Sequence, residues 1–311
     1  ERDKNLVFDR YRKVSWLAMG YSISYLPSVG SLKTLGKFEA SKAKRLPFAG
    51  FGNPIFGNQS TNGQSPRTQV AMRGGDIQVR GLRLTKKGNL DSKEISSVSL
   101  DQLMPLPETE AEITQIAAAL GANPAESVFV RASANEQTVK TMSLKKYRIL
   151  MFASHALIPG DLDGLEQPAI ALSSPSASNS IDDGLLTMSE ILNLELNADW
   201  TVLSACNTGA ASGQGADAIS GLGMAFFYAG SRALLVSHWP VETHSARQMT
   251  TNIFKNQNED ITLSRVGTIS KAVREMITTG EYKVPSSGKA IYSYSHPMFW
   301  APFTLVGDRG L

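Results

Sequence analysis

The chain has one cysteine, Cys206, in 311 residues, which excludes an internal disulfide and suits a reducing compartment. Its four histidines, at 155, 238, 244 and 296, are dispersed without zinc-ligand spacing, so neither a metal nor any other cofactor is expected. There is no Gly-x-Ser-x-Gly elbow and no phosphate-binding loop. No apolar run reaches membrane length: the longest, residues 222–236, is broken by Ser231 and Arg232. Charge is nearly balanced, with 31 basic against 28 acidic residues and a net charge of +3. The one dense basic stretch, residues 33–45, contains Glu39 and reads as a solvated connector rather than a nucleic-acid footprint. With no signal-peptide pattern, these absences predict a soluble, cytoplasmic chain that binds neither membrane nor nucleic acid. Glu1 in place of an initiator methionine points to further sequence upstream.

What is present is enough apolar sequence, 42%, to bury a substantial core. From residue 46 onward, strand-like and helix-like segments alternate, the pattern of an α/β sheet with helices on its faces. Strands are expected at residues 46–51, 127–130, 147–153, 200–205, 232–237 and 303–306. Helices are expected at residues 108–120, 216–229, 243–255 and 263–278, and a shorter one runs from a Ser133/Glu136 capping box to residue 144. Thr187 and Glu190 form a second capping box. Residues 57–107 read as an insertion with one hairpin at residues 76–84. Residues 1–45, with a strand at 21–25, either pack on the core or continue an upstream domain, and residues 46–311 form the core itself.

Two of these segments end in reactive side chains. Cys206 directly follows the apolar run 200–205, and His155 follows the run 147–153. A thiol becomes a strong nucleophile only as a thiolate, and two adjacent parallel strands ending at one sheet edge can bring an imidazole beside it. A histidine about 50 residues upstream of the cysteine is the caspase-type order. The bland alternative makes Cys206 a small buried hydrophobe and His155 a satisfied polar residue. His238 and Trp239 read as strand-end packing beside the cleft, with substrate contact as the second reading, and His296 as a structural hydrogen-bonder.

Several ordered motifs carry a family resemblance. Phe152-Ala-Ser-His155, Asp183 to Glu190 (DGLLTMSE), Val202 to Gly209 (VLSACNTG), Ala229-Gly-Ser-Arg232, Ser237-His-Trp-Pro-Val241 and His296 to Ala301 (HPMFWA) together resemble the CHAT domain. That family comprises caspase-like peptidases related to separase, usually found at the carboxyl end of proteins with tetratricopeptide repeats. The resemblance implies a caspase-like α/β/α sandwich with a mostly parallel central sheet and a catalytic dyad at His155 and Cys206. Where relatives commonly have glycine after the histidine and glutamate after the cysteine, this chain has Ala156 and Asn207. Alanine keeps its backbone N–H, so the oxyanion donors fall at residues 156 and 206.

The resemblance further implies a cysteine endopeptidase acting on a protein substrate, latent until switched on by an activating partner or an upstream tetratricopeptide-repeat region. Related enzymes often select a basic side chain with a carboxylate. Asp161, Asp163 and Asp182 lie between the histidine and cysteine strands and are the candidates, with Asp183 the weakest because its Asp-Gly-Leu-Leu sequence looks like the start of a helix. Two other classes stay open: an inactive caspase-like scaffold that binds a protein partner, and a thiol hydrolase or acyltransferase acting on small molecules.

Overall fold

The computed structural model describes residues 6–26, 44–57, 69–72, 75–78, 100–162, 164–204, 214–239 and 241–310. In chain order its strands and principal helices begin with β1 (Leu46–Gly52), a hairpin of β2 (Gln69–Met72) and β3 (Gly75–Gln78), and α1 (Glu108–Ala119). Then come β4 (Val128–Val130), α2 (Glu136–Thr141), β5 (Tyr147–Ala153), β6 (Ala156–Leu157) and β7 (Ala169–Ala171). These are followed by β8 (Leu185–Thr187), α3 (Met188–Leu192), β9 (Trp200–Leu203), α4 (Gln214–Ala229) and β10 (Ala233–Ser237). The chain continues with α5 (Thr243–Glu259), α6 (Arg265–Thr278), β11 (Glu281–Lys283), β12 (Ala290–Ser293) and β13 (Phe303–Gly307).

The main sheet has six strands in the order β13-β10-β9-β5-β1-β4. All neighbours are parallel except β13, which runs antiparallel to β10. A sheet of this kind is covered on both faces, so its strands read as unbroken apolar runs. Successive residues then serve opposite layers. Phe48, Ile149, Met151, Trp200, Val202 and Leu235 pack under α1, α5 and α6. Ala49, Phe51, Leu150, Phe152, Leu203 and Leu234 pack under α2, α3 and α4. The result is an α/β/α sandwich. Phe152, fully buried between Phe51 and Phe226 at ring-centroid distances of 5.3 and 5.5 Å, is a central contact on the second face. A second sheet, β6-β7-β8, is antiparallel and continues from the end of β5. It rests on an apolar cluster that includes Phe56, Leu100, Leu103, Leu157 and Leu185.

Gly50 and Gly52 make the contact between α1 and β1 possible. A Cβ at Gly50 would come within 2.6 Å of Ile113 Cγ2, and one at Gly52 within 2.5 Å of Ile113 Cδ1. A larger side chain at either position would collide with Ile113 and force the packing there to shift.

Several local expectations shift. The cap of α2 is Asn135, whose Oδ1 accepts from Thr138 N–H at 2.8 Å, while Ser133 bonds back to Val130. Asn135 wins because it directly precedes the first helical residue. The Thr187/Glu190 capping box forms as expected. Asp183 does not open a helix: its carboxylate caps the N–H of Leu185, the first residue of strand β8. The hairpin lies at 69–78, earlier than expected, and residues 79–84 fall outside the described residues. Residues 21–25 make no strand but a single bridge, with Tyr25 N–H donating to Leu305 O (2.8 Å) and Gly307 N–H donating to Tyr25 O (2.9 Å). Further back, Val7 bridges Tyr292, and Arg12 bonds Gly280 O and Glu281, so residues 6–26 lie against the core. Among the described residues, no helix is long and apolar enough to cross a membrane.

Helix α4 stops at Gly230, whose φ is +114°, and a Cβ there would stand 2.4 Å from Leu196 O. Gly230→Ala is therefore expected to lower stability by at least about 1 kcal/mol, since both the backbone conformation and the space require glycine. Chemical denaturation measures this, and an unchanged midpoint would refute it.

Candidate active site

His155 lies two residues beyond the end of β5, between that strand and β6. The chain is pinned on both sides of it. Ser154 Oγ donates to Ala171 O, and Ala171 N–H donates to His155 O at 2.9 Å. The His155 side chain is buried, with the Phe56 ring 5.4 Å away. Its Nε2 stands 2.8 Å from Met104 O. A carbonyl can only accept, so Nε2 carries the proton in this contact and the neutral ring keeps its lone pair on Nδ1.

Cys206 lies outside the described residues. The strand that leads to it, β9, ends at Leu203, and the chain is described up to Ser204. The strand pairs in parallel with β5 so that residues 149–152 each face the residue 51 positions later: Ile149 with Trp200, Leu150 with Thr201, Met151 with Val202, Phe152 with Leu203. Ser204 N–H continues the ladder to Phe152 O at 3.0 Å. The Ser204 hydroxyl donates to the carboxylate of Glu112 (3.1 Å), a fully buried residue of α1 that also accepts from Thr250 Oγ1 of α5 (2.9 Å). Glu112 thus ties the end of β9 to two helices of one layer.

Ala156 is buried in β6 and is not among the residues with left-handed backbone, so alanine fits where relatives commonly have glycine. The described peptide bonds are trans, and in a trans peptide the C=O and N–H point in opposite directions. The carbonyl of His155 points at β7. The N–H of Ala156 therefore points away from β7, on the outer side of the small sheet.

The other candidates are more dispersed. His238 and Trp239 follow β10, exposed, at the same end of the main sheet, with His238 N–H bonded to Pro302 O at 3.0 Å. The Asp161 carboxylate accepts from Ile158 N–H at 2.9 Å within its own turn. Asp163 lies outside the described residues. Asp182 is held by Lys140 at 3.1 Å, which also bonds Glu190 at 2.6 Å and Glu136. His296 acts structurally, its Nδ1 accepting from Met298 N–H at 3.2 Å and its ring packing on Phe8 and Tyr11. Sequence reasoning missed Met104, whose contribution is a backbone carbonyl without a side-chain signature. It also missed Glu112, although an acid one residue before Ile113 and four before Ile116 on the apolar face of α1 was a readable signal.

The fold is an α/β sandwich with a histidine at the end of a central parallel strand and the strand leading to the cysteine beside it. The CHAT domain profile matches residues 5–308, and the chain belongs to the CHAT domain family, a caspase-like domain. It is 26% identical over 252 residues to tetratricopeptide repeat protein 28 of Mus musculus and 26% identical over 251 residues to that of Homo sapiens. Each match covers 70% of this chain and 9% of the relative, so the chain spans a small part of these proteins.

The Lys140 cluster carries a pH dependence. Burial pushes the Glu136 carboxyl up from 4.5 to about 8 against the pull of Lys140, and its Oε2 accepts from Gly184 N–H at 3.0 Å. Between those two values the folded chain holds a proton that the unfolded chain has released, so stability falls as pH rises through this range. Thermal melts from pH about 5 to about 8 should show that decline, and Glu136→Gln should flatten it. An equal decline in both proteins would show that Glu136 is not its source.

Proposed function

We propose that the chain is a cysteine endopeptidase cutting a protein partner through His155 and Cys206. The observation that carries this reading is the register of β5 and β9: the offset of 51 between paired residues equals the sequence separation of His155 and Cys206. In the proposed reaction His155 Nδ1 takes the thiol proton and the thiolate attacks the scissile carbonyl, with the N–H groups of residues 156 and 206 holding the oxyanion. Collapse breaks the C–N bond, and the imidazolium gives its proton to the leaving amine. Water, deprotonated by the same imidazole, then hydrolyses the thioester. The Met104 carbonyl supports the tautomer this requires, and the outward N–H of Ala156 supports the oxyanion role.

Activity is proposed to be latent until a protein partner or an upstream repeat region engages the chain, in keeping with relatives named for tetratricopeptide repeats. A noncatalytic scaffold is the second reading, favoured by the Asn207 departure. Cleavage of the native partner by the activated protein separates the two. Because the pair acts as a unit, Cys206→Ala and His155→Ala should each abolish nearly all cleavage, with the double variant hardly worse. Cleavage by Cys206→Ala at the parental rate would refute the dyad, and no cleavage by the activated parent would leave the scaffold standing.

Selection of Arg or Lys on the amino side of the cut is proposed to rest on an aspartate of the segment between the two strands. The Asp182 carboxylate is already held by Lys140, which favours Asp161 or Asp163. His238 and Trp239, exposed at the same sheet end, are proposed to contact substrate. A peptide library profiled with the activated protein should return a basic residue at that position; an apolar or acidic preference rules this out.

A further inference from the structure

At the opposite end of the main sheet from His155, four arginines converge on one carboxylate. Arg45 precedes β1, Arg148 is the second residue of β5, Arg232 precedes β10 and Arg265 opens α6. All four reach Asp199, the residue before β9: Arg45 Nη2 at 3.0 Å, Arg148 Nε at 3.1 Å, Arg232 Nη1 at 3.2 Å and Arg265 Nη2 at 3.8 Å. One further carboxylate joins them, Asp308, 2.7 Å from Arg265 Nη1. Asn197 contributes neutral acceptors, its backbone carbonyl to Arg45 and its side-chain oxygen to Arg232 at 3.1 Å.

Among the described residues, four guanidinium groups thus face two carboxylates, a surplus of two positive charges. The surplus is not on open surface, for the side chains of Arg45, Arg232 and Arg265 are only 7, 12 and 12% exposed. Each of these three also has a buried Nε–H without an acceptor. Burial, opposed by Asp199 but reinforced by the charges of Arg45 and Arg265, holds Arg232 below its ordinary pKa. Buried cations without matching counter-charge, and buried donors without acceptors, are both costly. Among the described residues the cluster is short of two negative charges and three acceptor atoms. One ligand chemistry supplies both at once: a tetrahedral phosphate dianion, whose oxygens match the planar donor fork of arginine.

We propose that the Asp199 arginine cluster is a binding site for the phosphate group of a small molecule. Entry is from the side of Arg148, which is 48% exposed, and Asp308, which is 26% exposed. The bound anion bridges the starts of β1, β5 and β10 and the first turn of α6, and so fastens the end of the sheet away from the candidate active site. The site is independent of any peptidase activity.

The test is thermal denaturation and calorimetric titration of the whole chain with sodium phosphate against sodium chloride at equal ionic strength. Phosphate should raise the Tm where chloride does not. Arg148→Gln, at the exposed mouth and harmless to the core, should weaken phosphate binding about tenfold, the effect of losing one charged hydrogen bond. Asp308→Asn, which removes a competing carboxylate but keeps the acceptor for Gly310 N–H, should tighten it. Pyrophosphate in a parallel arm separates two sources: tighter binding than phosphate assigns the site to a diphosphate-bearing molecule, equal binding to a monophosphate. Identical melts in phosphate and chloride, or parental affinity in both variants, would overturn the proposal.

Discussion

Strands β5 and β9 are hydrogen-bonded neighbours running in the same direction, and the candidate chemistry depends on that one pairing. Register between them is not adjustable. Residues alternate between two fully covered faces, so a slip of one position would turn Phe152, Leu150 and their partners from one helical layer to the other. The apolar packing that stabilises the fold therefore also sets which residue beyond β5 stands level with which residue beyond β9. In the proposed dyad, positioning follows from core packing rather than from a separate device.

Polar groups at the sheet end then refine what the register sets. The Met104 carbonyl fixes the proton on one nitrogen of His155, and Met104 belongs to a stretch whose Leu100 and Leu103 are themselves buried in the cluster under the small sheet. Glu112 links Ser204 to Thr250, so the end of β9 is coupled to α1 and α5. Because α1 sits closely on Gly50 and Gly52, that coupling rests on a helix packed directly against β1. Histidine, carboxylate and helix are each held by packing that extends well beyond the site.

Much of this was legible in the sequence because parallel strands buried on both faces leave continuous apolar runs. Residues 46–52, 147–153 and 233–237 were read almost to their ends for that reason. The Thr187/Glu190 box was readable because its partners are three residues apart. What failed was information carried by tertiary contacts. Ser133 and Asn135 both suit a cap, and only the helix start chose between them. The Tyr21-Ser-Ile-Ser-Tyr25 alternation has strand periodicity, yet finds one bridging partner rather than a ladder. Strand β6 is two residues long, too short to show a period, and an acceptor provided by a backbone carbonyl has no sequence signature at all.

The two edges of the main sheet differ in how they are finished. On one side β4 is only three residues long and offers little unpaired backbone. On the other, β13 would present its outer edge, but Tyr25 occupies it by bonding to Leu305 and Gly307. Open strand edges are templates for pairing with another chain. The segment before Tyr25, held at Val7 and Arg12, thus keeps part of that edge covered by the chain's own backbone, so the sheet's exposed pairing surface depends on a segment far away in sequence.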